Sequence, residues 1–394
     1  MSDPIFSELR DLIEQTGPAK AIDRLCDWLK ERKEFHSLFY ALLMKKRQEL
    51  GVSPIPTAPS QDMPLEAQTA FEEGIREAGR YVGDLCLEAG NIPQAWVFFR
   101  MLSEPGPVEK ALDAYQPGSD EDVQPFVQIA FYEGVNPRKG IDLILSRYGL
   151  CNAITTMSSP ELPLSTEARQ FCIRRLVQTL YRELVERLSN DIERREGKRP
   201  TGKGESPTVS EIIEGRDWLF EDEFAHIDVS HLSSVVQMST SLDRCQELDM
   251  ARELCAYGQK LSPRLKFKSD PPFDNQYGDY GVYLAILAGD KVEHGIDHFR
   301  KKAQAADPDE VGTFPAEVLV NLLLRLHREK DALAIAREHL AKVENRQLSC
   351  PSIVELCQRA NDYKTLAELA EQQADTVHFL AGMIAEKDAP TQHS

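Results

Sequence analysis

The chain has 394 residues and a net charge of −18, from 46 Lys and Arg against 64 Asp and Glu. With 42% hydrophobic residues it can bury a sizeable core, which excludes a wholly disordered chain. At roughly 100–200 residues per domain, the length suits a few packing units or one continuous array. The acidic balance argues against wrapping DNA or RNA, which needs a concentrated cationic face, and against an anionic membrane surface.

No apolar run is long enough to span a bilayer. The N-terminal Met1-Ser2-Asp3-Pro4-Ile5-Phe6 lacks the basic-then-apolar pattern of a secretory leader. Cys26, Cys86, Cys151, Cys172, Cys245, Cys255, Cys350 and Cys357 form no Cys-x-x-Cys pair and are too sparse for a disulfide framework. Reduced thiols on apolar helix faces behave as small hydrophobes, and the expected location is cytoplasmic.

Helical periodicity runs through almost the whole chain. Leu25, Trp28 and Leu29 form one stripe, then Phe35, Leu38, Phe39 and Leu42, which together make residues 1–50 an N-terminal helical hairpin. Residues 51–66, with Pro54, Pro56, Pro59 and Pro64, read as a Pro-rich linker. Residues 67–196 read as a helical-repeat segment with an acidic break near Gln116–Asp122. Its longest helix is expected over 168–192, where Ile173, Leu176, Val177, Leu180, Leu184, Val185, Leu188 and Ile192 share one face.

Residues 197–208 read as a flexible linker, and Thr208-Val209-Ser210-Glu211 then fits a capping box. Residues 209–394 form the C-terminal repeat segment, interrupted between Ser269 and Gly281 by Pro271, Pro272, Gly278 and Gly281. The one alternating stretch, Arg264–Lys268, is too short to build a sheet. The expected class is therefore all-α, with stacked antiparallel helical hairpins that are irregular in the middle. Trp28, Trp96 and Phe99 are expected in the core. The terminal helices should be polar on their outer faces, as Lys387-Asp388 suggests.

Small and aromatic residues recur at a fixed spacing. Ala95, Phe99, Leu102 and Pro107 follow one pattern, Gly83 precedes it on the partner helix, and Asn91-Ile92-Pro93 supplies the turn. Ala251, Cys255, Gly258 and Pro263 repeat it, followed by Gly295 with Phe299 and Ala332 with Ala336. The anchors Ala251, Gly295, Ala332 and Ala367 are separated by 44, 37 and 35 residues, near a tetratricopeptide period of about 34. On these residues the chain resembles the tetratricopeptide-like helical-repeat superfamily. Cys86 stands where that pattern has Tyr, and Gly79 where it has Trp. The resemblance implies stacked helix pairs with a concave surface for a partner segment, and it names no partner.

Chemistry-bearing motifs are few. Gly197–Gly204 nearly spells a phosphate loop, but Gly204 replaces the magnesium-binding hydroxyl and a charged helix end replaces the buried strand. His226 and His231, with Glu223 and Asp228, form one imidazole–carboxylate group, and His294 and His298 form another one helical turn apart. Such side chains suit zinc or iron, so a metal-dependent enzyme with Glu223 as base is the alternative reading. Asp228 also fits an N-cap. No Gly-x-Ser-x-Gly, His-Glu-x-x-His or Gly-x-Gly-x-x-Gly is present.

The basic stretch Lys260–Lys268 and the acidic run Glu221-Asp222-Glu223 both read as solvated surface. Tyr277, Tyr280 and Tyr283, read as a loop entering a helix, are candidate contact residues for a partner. The leading expectation is a noncatalytic protein–protein scaffold without a cofactor. Its acidic groove would take a protein or peptide with a basic segment, and no nucleic acid or membrane. Self-association into a homo-oligomer is compatible with the sequence and is not specified by it.

Overall fold

The computed structural model describes residues 4–59, 63–159, 162–202, 204, 207–221, 223–340 and 348–388. The described residues are helical with no strand, as the periodicity requires. They divide into two compact units, Met1–Cys172 and Ile173–Ser394, and the division falls inside one long helix.

The first unit holds α1 (Ile5–Thr16), α2 (Pro18–Glu31), α3 (Phe35–Glu49), α4 (Leu65–Glu88), α5 (Ile92–Leu102), α6 (Gly106–Ala114), α7 (Gln124–Val127) and α8 (Pro137–Met157). From α1 to α6 each helix packs on the next. Residues 51–59 do not hang free, because the buried Arg47 guanidinium donates to the carbonyls of Ser53 and Ala58. Asn91 caps α5 by accepting from the Gln94 N–H, and Pro93 sits in its first turn. Gly83 lets α4 and α5 approach, since a Cβ there would lie 2.6 Å from Phe99 Cε2. Ala95 and Phe99 are buried beside it.

Pro107 does not end the helix that carries Ala95 and Phe99. Ser103, in the left-handed conformation, closes α5, and Pro107 opens α6. Trp28 and Trp96 are only half-buried. Each keeps a polar neighbour at the surface: Arg32 lies over the Trp28 ring, and the Trp96 Nε1–H donates to Glu133.

The division between the units falls in α9 (Thr166–Glu196). Leu176, Val177, Leu180, Leu184, Leu188 and Ile192 are all fully buried on one stripe, and Val185 lies at its margin. Next come α10 (Val209–Ile213), α11 (Val229–Ser239), α12 (Gln246–Lys260), α13 (Gln276–Leu287), α14 (Val292–Ala305) and α15 (Pro308–Val311). They are followed by α16 (Phe314–Arg325), α17 (Glu329–His339), α18 (Ile353–Ala360), α19 (Tyr363–Gln372) and α20 (Thr376–Asp388). Thr208 and Glu211 make the expected capping box on α10, and Asp228 caps α11.

Close approaches at small residues tie α12, α13 and α14 together. A Cβ on Gly258 would lie 2.5 Å from the Tyr277 ring, and one on Gly295 would lie 2.4 Å from Ile286. Ala251, Cys255, Phe299, Ala332 and Ala336 are fully buried. Pro263 opens a short 3-10 turn after α12, in place of the alternating stretch at 264–268. The α20 outer face departs from expectation. Val377, Leu380, Met383 and Ile384 are exposed there, because α20 turns its small Gly382 toward α19.

Candidate functional site

Three consecutive helices of the second unit enclose an open cavity of about 790 Å³. Asp249, Arg252, Glu253, Ala256 and Gln259 line it from α12, at the spacing of one helix face. The opposite face of α12, with Ala251, Leu254, Cys255 and Gly258, is core. In α13 the lining residues are Gly278, Asp279, Gly281, Val282 and Ala285, so the floor is built largely from side chains too short to fill it. Lys291, His294 and His298 supply the α14 wall, with Asp290 at the turn before it.

The walls are held by polar contacts. Arg252 bridges Asp249 at 3.1 Å and Asp290 at 2.8 Å, joining α12 to the α13–α14 turn. Glu253 accepts from the Tyr181 hydroxyl at 2.7 Å and the Val209 N–H at 2.8 Å. Burial first, and then the Glu253 carboxylate, push the Tyr181 phenol well above its ordinary range. Asp279 is only 1% exposed, and its carboxylate lies 2.8 Å from His298 Nε2 and 2.8 Å from Lys302 Nζ. The Asn275 N–H also donates to it. Burial pulls the Lys302 ammonium down, but its bonds to Asp274 and Asp279 outweigh this and raise it.

The predicted histidines fall in three places. His294 and His298 line the groove, His294 exposed and His298 half-buried. His226 lines a smaller cavity of about 200 Å³ with Arg187, Asn190, Asp191, Arg194 and Phe224. Its Nδ1 lies 3.1 Å from the Tyr257 hydroxyl and its Nε2 lies 3.4 Å from Asp191. Burial lowers the His226 imidazole, Asp191 opposes that shift, and Arg187 adds to it. His231 is half-buried on α11, in the first turn that Asp228 caps. Glu223 pairs with Arg264 at 2.9 Å. Among the described residues no three His, Cys, Asp or Glu side chains are placed to hold a metal ion. The alternative reading of a metal site at His226, His231, His294 and His298 therefore finds no assembled ligand set among the described residues.

The tyrosines need the clearest correction. Tyr277, Tyr280 and Tyr283 lie inside α13 and are 1%, 7% and 6% exposed. Tyr280 stacks on Phe273 at 4.1 Å, and Tyr283 meets the edge of Phe299. Gly278 and Gly281, which looked like loop residues, lie inside the helix, and the Asn275 side chain occupies the space beside Gly278 alone. The surface presented by α13 is the small-residue face between the tyrosines.

Other motifs resolve into structure. Arg199 of the near-phosphate loop is held by Glu186, Asn190 and Glu193, while Lys203 lies outside the described residues. Lys260 pairs with Asp217, and the Lys266 ammonium donates to the Gln259 carbonyl. Asp222 lies outside the described residues. All the cysteines are free. Burial raises Cys86 to about 11 and Cys172 to about 12. No helix among the described residues is long and apolar enough to cross a membrane.

Sequence reasoning missed Asp249, Arg252, Asp279 and Asp290 as groove residues. The signal was the polar face of α12 at three- and four-residue steps, opposite the repeat anchors it shares a helix with. Comparison with protein-family models, with curated proteins and with solved structures finds no match.

Proposed function

We propose that this chain is a noncatalytic protein–protein interaction scaffold of stacked helical hairpins, similar to tetratricopeptide-like repeats. The groove of α12, α13 and α14 receives an extended partner segment with basic residues. The observation that carries the reading is the groove itself. It is open, its floor is small, and four carboxylates face two cations along it. A chain segment can lie over Ala256, Gly281 and Ala285 and bury its backbone, while its cations meet Asp249 and Asp290. Ion pairs of Arg252 with Asp249 and Asp290 already join the walls. An acidic protein in the cytoplasm with this groove draws cationic partners by long-range attraction as well.

The test is binding of fluorescent basic peptides from a library, read by anisotropy. Ala256→Arg and Ala285→Arg each fill the groove and reduce its net negative charge without touching the core face. Binding should weaken at least about tenfold in either variant. It should also fall between about 0.1 M and about 1 M salt, as the screening length shrinks from about 10 Å to about 3 Å. Binding that ignores both substitutions overturns the proposed site. Stoichiometric zinc or iron in the purified protein overturns the noncatalytic reading.

A further inference from the structure

Two histidines on α14 stand among the carboxylates of the groove and have no part in the binding reading. His294 is exposed and His298 half-buried, one helical turn apart. The Asp279 carboxylate can only accept, so the His298 Nε2 at 2.8 Å carries a proton and the free site on that ring is Nδ1. A proton taken there sets Asp279 between two cations, since the Lys302 ammonium also lies at 2.8 Å. Other charges reach the two rings from the neighbouring elements. Lys291 lies about a turn before His294, and Asp297 pairs with Lys301 at 2.8 Å. Asp274 shares Lys302, Asp290 stands at the α13–α14 turn, and α12 brings Asp249, Arg252 and Glu253. α16 also packs on α14, but its Glu317 accepts from Thr313 and Ser349, and its Arg325 donates to the Thr240 and Leu242 carbonyls. Glu293 pairs with Arg328.

We infer that the groove is proton-gated, holding a basic segment while His294 and His298 are neutral and releasing it once they are charged. This deepens the binding reading above and rests on it. With neutral imidazoles, four carboxylates face two cations among the lining residues. With both rings charged, four face four, and the local attraction for a cationic segment is gone. Imidazole is the side chain that ordinarily changes its charge between about pH 8 and about 5. The coupling is reciprocal, so a bound cation disfavours the charged rings as much as they disfavour it.

Calorimetry of the full chain with an acetylated, amidated octapeptide of alternating Arg and Ala tests the gate, because arginine keeps its charge throughout. At about 0.1 M salt the wild type should bind at least about fivefold more weakly near pH 6 than near pH 8. The readout is the ratio of the two affinities. The pair His294→Gln with His298→Gln should bring that ratio below about twofold. Because His298 also holds Asp279, His294→Gln alone is a second readout, and it should lower the ratio with helicity unchanged. Ala256→Arg should weaken binding at both pH values, which places the peptide in the groove. A wild-type ratio near one, or a ratio that the histidine substitutions leave as large, overturns the gate and leaves the binding reading standing. Absence of groove-dependent binding near pH 8 overturns that reading, and the gate with it.

Discussion

Two helical glycines, Gly258 and Gly281, are expected to respond to alanine substitution with opposite sign. Gly258 in α12 faces α13, where a Cβ would meet the Tyr277 ring at 2.5, 2.6 and 2.7 Å from Cγ, Cδ1 and Cδ2. Ordinary carbon contacts are about 3.5–4.0 Å, so roughly 1 Å of movement is needed. Cγ is bonded to the Tyr277 Cβ, so the ring cannot swing its near end away, and the residue is 1% exposed. Gly258→Ala therefore forces a backbone shift between α12 and α13. Overpacking of this kind costs about 1–3 kcal/mol, and here the upper part of that range applies. Replacing a helix-interior Gly returns about 1 kcal/mol of propensity. The net loss is about 2 kcal/mol.

Gly281 is also helical, but a Cβ there would have only the Gln259 Nε2 at 3.4 Å and the Cys255 Cβ at 3.6 Å. Gly281→Ala keeps the propensity gain and should stabilise by about 0.5–1 kcal/mol. Thermal unfolding followed by circular dichroism reads both, at about 2–4 °C per kcal/mol for a unit of this size. The melting temperature should fall by about 4–8 °C for Gly258→Ala and rise by about 1–4 °C for Gly281→Ala. Equal shifts in the two variants, or a stabilised Gly258→Ala, would refute the packing of α13 against α12.

His226 gives the pH prediction. Its folded imidazole lies below the ordinary value, so on acidification the unfolded chain takes up the proton first, from about pH 6.5. Stability should decline from there down to the folded pKa and level off below it. His226→Gln removes this uptake, and its urea midpoint should drop less than the wild type's between about pH 7.5 and about 5.5. Equal drops would refute the burial argument. The thiols give a second test. With Ellman's reagent near pH 8, about the free-thiol pKa, exposed Cys151 should react first. Cys86, Cys172 and Cys357, raised by burial to between about 11 and 12, should wait for denaturant. Prompt reaction at Cys86 would show that α4 and α5 do not close over it.

The helical class, the run of α9, the caps at Thr208 and Asp228, and the fit of Gly83 to Phe99 were all legible in the sequence. Each depends on residues a few positions apart or on a repeat spacing, and periodicity and capping are local physics. The tyrosines of α13 show where local reasoning stops. Glycine and aromatic residues near a Pro-Pro pair favour a loop by propensity. Packing against Gly258 and Phe299 makes that segment a buried helix instead.

The groove depends on tertiary structure in the same way. Asp249 and Asp290 stand on either side of Arg252 only once α12 and the α13–α14 turn are adjacent. Asp279 tolerates burial only because Lys302 and His298 arrive from the next helix. The sequence suggested a polar outer face for α20, but the exposure of its apolar residues was decided by Gly382, which commits the opposite side of the helix to α19. Sequence set which residues share a helix face, because that follows from backbone geometry. Tertiary structure alone decided which faces meet each other and which meet solvent, because close packing lets only one face of each helix reach its neighbour.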